Sequence, residues 1–205
     1  MNKIIACMVL ALSSAASAQE TVINGMDFGP LAKLAGTWKV VDSGGVDLAP
    51  GQTGSNVGKG GSAVEPYDEV WTFEPAADAT NASDQYLVAM YFKQEAFRKK
   101  DKKKFHDQRG YLIYDKKNQM VYDSFCIPRA VCIVAEGKAG DKMVLQSGPQ
   151  GVAESRYMSK NAKTKDFSIS FDISDKTVKY TQKTRLRIYG KSFDHIDTST
   201  LVKTK

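Results

Sequence analysis

The feature that most limits what this chain can become is a regular succession of short β-forming runs separated by turn residues. Val70-Trp71-Thr72-Phe73, Tyr86 to Phe92, Gly110 to Tyr114 and Val131 to Ala135 are rich in β-branched and aromatic side chains. Phe167-Ser168-Ile169-Ser170-Phe171-Asp172-Ile173 alternates strictly, the mark of a strand with one buried face. Val178 to Tyr189 and Phe193 to Val202 complete the series. Lys117-Asn118-Gln119, Ala139-Gly140-Asp141, Ser174-Asp175-Lys176 and Gly190-Lys191-Ser192 supply the turns. About ten strands at hairpin spacing predict an all-β, single up-and-down antiparallel β-barrel, which removes its exposed edges by closing on itself. Pro30 to Ala35 is the one helical candidate, a short turn before the first strand.

Two segments fall outside this rhythm. The first is residues 1–18, which read as a cleaved leader. Asn2-Lys3 is a short positive start, Ile4 to Leu12 an apolar run, and Ala16-Ser17-Ala18 a small-x-small cleavage pattern, so the mature chain is expected to begin at Gln19. Ile5-Ala6-Cys7 faintly resembles a lipobox, but that Cys precedes most of the apolar run instead of following it. No other apolar stretch approaches the ~20 residues of a membrane span. The expected location is periplasmic or secreted. The second segment is Asp42 to Val64, a Gly-rich insert with seven glycines and few apolar residues. Such a composition buries too little to order itself, which predicts a mobile loop or, in a functional reading, a lid over the barrel mouth.

With Lys3 gone, the 29 basic residues fall to 28 against 23 acidic ones, a net charge of +5. Much of the excess lies in Arg98-Lys99-Lys100-Asp101-Lys102-Lys103-Lys104, read as a solvated loop between strands, with a phosphate or membrane-surface patch as the alternative. A nucleic-acid partner needs a broader basic face with aromatic platforms, and none is expected; the oligomeric state is not legible. Only Cys126 and Cys132 remain after cleavage. On one straight strand they would lie ~20 Å apart and could not pair, whereas a break at Pro128 would bring them together. Both outcomes are open.

The chain has no Walker loop, HExxH, GxSxG or CxxC, and its two histidines exclude a multi-histidine zinc centre. His195 shares a strand face with Phe193, Asp197, Ser199 and Leu201. It is either a hydrogen-bonded structural residue or an axial ligand to haem iron, a role one imidazole can fill. His106, just after the basic run, reads as a loop or strand-entry residue. Arg187 and Tyr189, two apart on a late strand, would share a face and could hold a carboxylate, as a similar Arg-x-Tyr does in fatty-acid-binding proteins; the alternative is an outward Arg.

Several motifs together resemble the nitrobindin family of haem-binding, calycin-like β-barrels, related in fold to fatty-acid-binding proteins and lipocalins. Leu31-Ala32-Lys33-Leu34-Ala35-Gly36-Thr37-Trp38 is similar to the family's opening LxxLxGTW, and Tyr67-Asp68-Glu69-Val70-Trp71-Thr72-Phe73 to its YxEEIxF. His106-Asp107-Gln108-Arg109-Gly110-Tyr111-Leu112 resembles HxExGYL. Pro128 with Val134-Ala135-Glu136-Gly137 resembles P…EVxEG, and Gly190-Lys191-Ser192-Phe193-Asp194-His195 the last turn and strand, where the family places its proximal His. The resemblance implies a ten-stranded barrel holding haem b at one mouth, His195 as the iron ligand, nitric oxide binding on ferrous haem and isomerisation of peroxynitrite to nitrate on ferric haem. The rival function is a non-enzymatic carrier of a small hydrophobic ligand such as a fatty acid. Two departures are visible: where the family continues GTW as xGxGxYP, this chain has Lys39-Val40-Val41-Asp42 and then the glycine-rich segment, and beside His195, where the family often has a second His or apolar neighbours, it has Ile196 and Asp197.

Overall fold

The structure, a computed structural model, describes residues 20–204; the expected leader and cleavage site lie outside the described residues. A two-residue hairpin opens it, β1 (Val22–Ile23) against β2 (Met26–Asp27), followed by one 3-10 helix, Gly29–Leu34. Pro30 suits the first turn of that helix, where the missing N–H costs nothing. The remaining strands are β3 (Gly36–Val40), β4 (Gly45–Pro50), β5 (Ser62–Asn81), β6 (Gln85–Arg98), β7 (Lys104–Asp115), β8 (Met120–Ile127), β9 (Val131–Lys138), β10 (Lys142–Glu154), β11 (Ala162–Ile173), β12 (Thr177–Ile188) and β13 (Lys191–Lys203). One short helix, α1 (Arg156–Asn161), joins β10 to β11. Among the described residues no helix is long and apolar enough to cross a membrane.

From β5 to β13 each strand pairs antiparallel with the next. The ring closes through a shared stave. β3 pairs with β5 at residues 70–73 and with β13 at 201–203, while β4 pairs with β5 at 62–67 and with β13 at 196–198. β3 and β4 therefore lie end to end as two halves of one stave, and the barrel has ten.

The expectation of a mobile insert over 42–64 is thus corrected. Its first part is the strand β4, and its last residues begin β5. Only 51–61 lie between, cross-tied by Gly51 N–H to Gly61 O (2.7 Å) and Gly60 N–H to Gly51 O (2.8 Å). Composition misled here because main-chain ladder bonds from two neighbouring strands, not side-chain burial, order this segment. Gly45 is required in it: a side chain there would run into the Tyr67 ring.

The two ends of the barrel differ. At one, the 3-10 helix closes the bore with Leu31 and Leu34, both fully buried, and the Trp38 indole N–H donates to Leu34 O at 2.7 Å. Above this plug the inner residues Trp71, Phe73, Phe92, Phe125, Phe167 and Phe171 pack ring against ring, with centroids 5.1–6.5 Å apart. The strict alternation expected for 167–173 holds, with Phe167, Ile169, Phe171 and Ile173 all inside. At the other end the bore is open.

Candidate haem site

The open end is a cavity of about 440 Å³. Its wall is apolar where Ala96, Phe105, Ile127, Ile133, Leu186 and Ile188 face inward. Its rim carries Arg98, Lys100 and Arg129. The basic run of 98–104 forms the β6–β7 turn, as expected, and is paired with acids: Lys100 Nζ reaches Glu65 at 3.0 Å and Lys102 Nζ reaches Asp68 at 2.7 Å. One side of the mouth is covered by Ala49, Pro50, Gly51, Gln52 and Ser55, the end of β4 and the loop after it.

β13 brings His195 and Asp197 to the same inner face, and β4 sets Asp47 directly opposite Asp197. His195 Nε2 and Asp47 Oδ1 are 2.8 Å apart, and Asp197 Oδ2 lies 3.7 Å from the same nitrogen. Burial pulls the His195 pKa down, but the Asp47 hydrogen bond and the charges of Asp197 and Asp47 outweigh it, so the imidazole ends above its usual 6.5. Burial also pushes Asp197 up to about 7; the charges of Asp47 and Glu69 add to this and His195 opposes it.

His106 lies within β7, not in a loop, and lines the cavity. Its Nε2 is buried without a hydrogen-bond partner. Burial, helped by the positive charges of Arg129 and His195, lowers its pKa to about 4, so the ring is neutral near pH 7. Deeper in, Gln94, Gln108 and Gln182 form a polar floor, and each has a buried amide atom without a partner. Below this floor sits the Glu69 carboxylate. It accepts from Trp71 Nε1 (2.8 Å), Gln94 Nε2 (2.9 Å) and the Tyr180 hydroxyl (2.8 Å), and burial holds its pKa up.

Of the residues singled out from sequence, His195 and Tyr189 line the cavity and Arg187 does not. The inward phase of β12 is even-numbered (Gln182, Thr184, Leu186, Ile188), so Arg187 points to solvent. β12 ends at Ile188, and Tyr189 turns in the left-handed region at φ 54°. That turn breaks the alternation, so the expected shared face of Arg187 and Tyr189 does not form. Cys126 and Cys132 face each other across the β8–β9 hairpin and are disulfide-bonded. The chain reverses after Pro128, so the straight-strand alternative does not apply.

Sequence reading missed Asp47, hidden in a segment taken for a loop. It also missed the inward glutamines, although Gln108 stands two residues from His106 and so on the same strand face.

The model of the THAP4-like, heme-binding β-barrel domain matches residues 27–203. The chain belongs to this nitrobindin family. No curated protein matches the sequence. Among solved structures, the crystal structure of Rv2717c from M. tuberculosis is similar in fold, with TM-score 0.56 and 15% identity over 85% of this chain and 95% of that one. Family membership assigns haem as the cofactor of the barrel. The residues present fit such a group. A flat apolar macrocycle with carboxylate tails would meet a wall that is apolar in part, a rim carrying Arg98, Lys100 and Arg129, and two inward imidazoles, one with an unpaired nitrogen. One contact works against entry: Asp47 holds His195 Nε2.

Proposed function

We propose that this nitrobindin is an exported haem b protein in which His195 supplies the axial imidazole, and that it binds nitric oxide or isomerises peroxynitrite to nitrate. The observation that carries the reading is the pair of imidazoles, His195 and His106, lining one cavity whose wall is apolar in part. Haem, when bound, would supply an iron centre able to take a small nitrogen oxide. The chain's residues do the rest. His195 would hold the group through Nε2, the atom that Asp47 Oδ1 now approaches at 2.8 Å, so Asp47 would have to release it. His106, neutral and partnerless at Nε2, is able to donate or accept a hydrogen bond from the cavity wall. Leu186, Ile188 and Ile133 line that wall with apolar surface, and Arg129 adds a positive charge at the mouth, where Arg98 and Lys100 share Glu65. Export is supported by the leader pattern at 1–18 and by the Cys126–Cys132 bridge, which an oxidising compartment preserves.

Adding hemin to haem-free protein tests the reading. A sharp Soret band that shifts or collapses in His195→Ala, and persists in Arg187→Ala, is the expected result. Identical spectra for wild type and His195→Ala remove the ligand assignment.

The basic rim over an apolar wall also suits a second reading, a metal-free carrier of a fatty acid. Mass spectrometry of an organic extract of freshly purified protein decides it: a stoichiometric long-chain acid favours it, an extract without one does not.

A further inference from the structure

We propose that Asp47, His195 and Asp197 form a binding site for a divalent first-row transition cation, completed by the side-chain oxygen of Gln182. The inference goes beyond haem binding and does not depend on it. One donor atom from each of the first three residues lies within 4.8 Å of the others. A tetrahedral ion with bonds of ~2.1 Å needs donors ~3.4 Å apart, so small side-chain rotations of the two carboxylates close the set. Two of the donor pairs are already that near, at 2.8 and 3.7 Å from His195 Nε2.

The frame is rigid. Asp47 and Asp197 are direct partners in the β4–β13 ladder, and His195 precedes Asp197 by two residues on the same face. Two carboxylates directly opposite on paired strands repel each other. A cation between them removes that cost.

Gln182 provides an independent pointer. It is the ladder partner of Asp197 across β12–β13 and lines the same cavity. Its side chain is 95% buried, at 5% relative exposure, yet its Oε1 accepts no hydrogen bond. A buried acceptor left unsatisfied is costly. An imidazolium at His195 would balance the two carboxylates but leave that oxygen orphaned; a metal ion satisfies all four groups. One imidazole, two carboxylates and an amide oxygen, without thiolate, suit Zn²⁺, Co²⁺, Fe²⁺ or Mn²⁺. Ca²⁺ prefers an all-oxygen shell of six to eight ligands. The site takes His195 away from haem, so cation and porphyrin compete for one imidazole.

Titrating the haem-free, chelator-treated protein with Co²⁺ tests the site by its visible ligand-field bands. The expected result is one Co²⁺ per chain, displaced by Zn²⁺ but not by Ca²⁺. Affinity should fall at least tenfold in Asp47→Asn and in Asp197→Asn, and several-fold in Gln182→Leu. Circular dichroism checks that each variant is folded. As a second readout, Zn²⁺ should raise the melting temperature of wild type but not of Asp47→Asn. Absence of Co²⁺ bands in wild type, equal binding by an Asp47→Asn/Asp197→Asn double variant, or displacement by Ca²⁺ overturns the proposal. Hemin separates it from the haem reading, because Asp47→Asn should keep the Soret band while losing Co²⁺. Co²⁺ binding without a wild-type Soret band keeps the cation site and removes the haem ligand; the reverse pattern does the opposite.

Discussion

The closed and open halves of the barrel are built on the same strands but follow opposite rules. Below Gln94 and Gln182, inward positions are filled by Trp71, Phe73, Phe92, Phe171 and Leu201, and the bore is plugged by Leu31 and Leu34. Above, inward positions carry His106, Gln108, Asp47, His195 and Asp197 around a hollow. Buried polar atoms without partners gather there: His106 Nε2, both amide atoms of Gln108, and Gln94 and Gln182 Oε1. A fold can carry that many unmet hydrogen bonds in one half only if the other half supplies its stability. The lower half does so through area and ring packing, so the upper half is free to be shaped by a ligand.

The largest effect that sharpens this contrast is a paired truncation. Trp71→Ala empties the centre of the aromatic cluster and should destabilise the protein by ~3–5 kcal/mol. Ile188→Ala, at the edge of a hollow that already exists, should cost less than ~1.5 kcal/mol because few packing contacts are lost. Denaturant midpoints of the two variants measure the gap. Equal losses would mean that the open half is a structural core after all.

The lower half breaks its own rule most sharply at Asp123. Asp123 lies on β8 between Val121 and Phe125, is fully buried, and has an Oδ1 with no partner. Burial lifts its pKa from 3.8 to about 8. The folded state therefore holds a proton that the unfolded chain releases near pH 4. Its favourable contribution is complete below that pH and is lost as pH rises through about 8. At most the slope is about 1.4 kcal/mol per pH unit. Asp123→Asn, which cannot ionise, should gain on wild type steadily from pH 5 to pH 8 in urea titrations. Parallel pH curves for the two proteins would show that Asp123 is not held neutral.

The contrast also explains what was legible in the sequence. The closed half writes itself in period two: Phe167, Ile169, Phe171 and Ile173 declare an inner face because apolar burial has a direct signature. His195 was legible by scarcity, as one of two histidines. Asp47 was not, because β4 is ordered by ladder bonds to β5 and β13, which any sequence can make. Nor was the position of Arg187, since its outward phase depends on where β12 ends, and Tyr189 leaves the strand by a left-handed turn. The cysteine bridge turned on a reversal after Pro128 that spacing alone leaves open.

The smallest effect lies on the boundary between the halves. Tyr67 is 1% exposed and belongs to both: its ring lines the cavity, while its hydroxyl is 2.9 Å from that of Tyr180, which in turn donates to Glu69. Tyr67→Phe keeps the ring and deletes only that link. Tyr180 retains its bond to Glu69, so no buried donor is orphaned, and the loss should be about 1 kcal/mol. Tyr180→Phe strips a donor from a buried carboxylate and should cost two to three times as much. If the boundary is where stability stops and ligand shaping begins, Tyr67→Phe should also leave the cooperativity of denaturant unfolding unchanged. A lower m-value with a similar midpoint loss would place the hydroxyl pair inside the structural core and move the boundary toward the mouth.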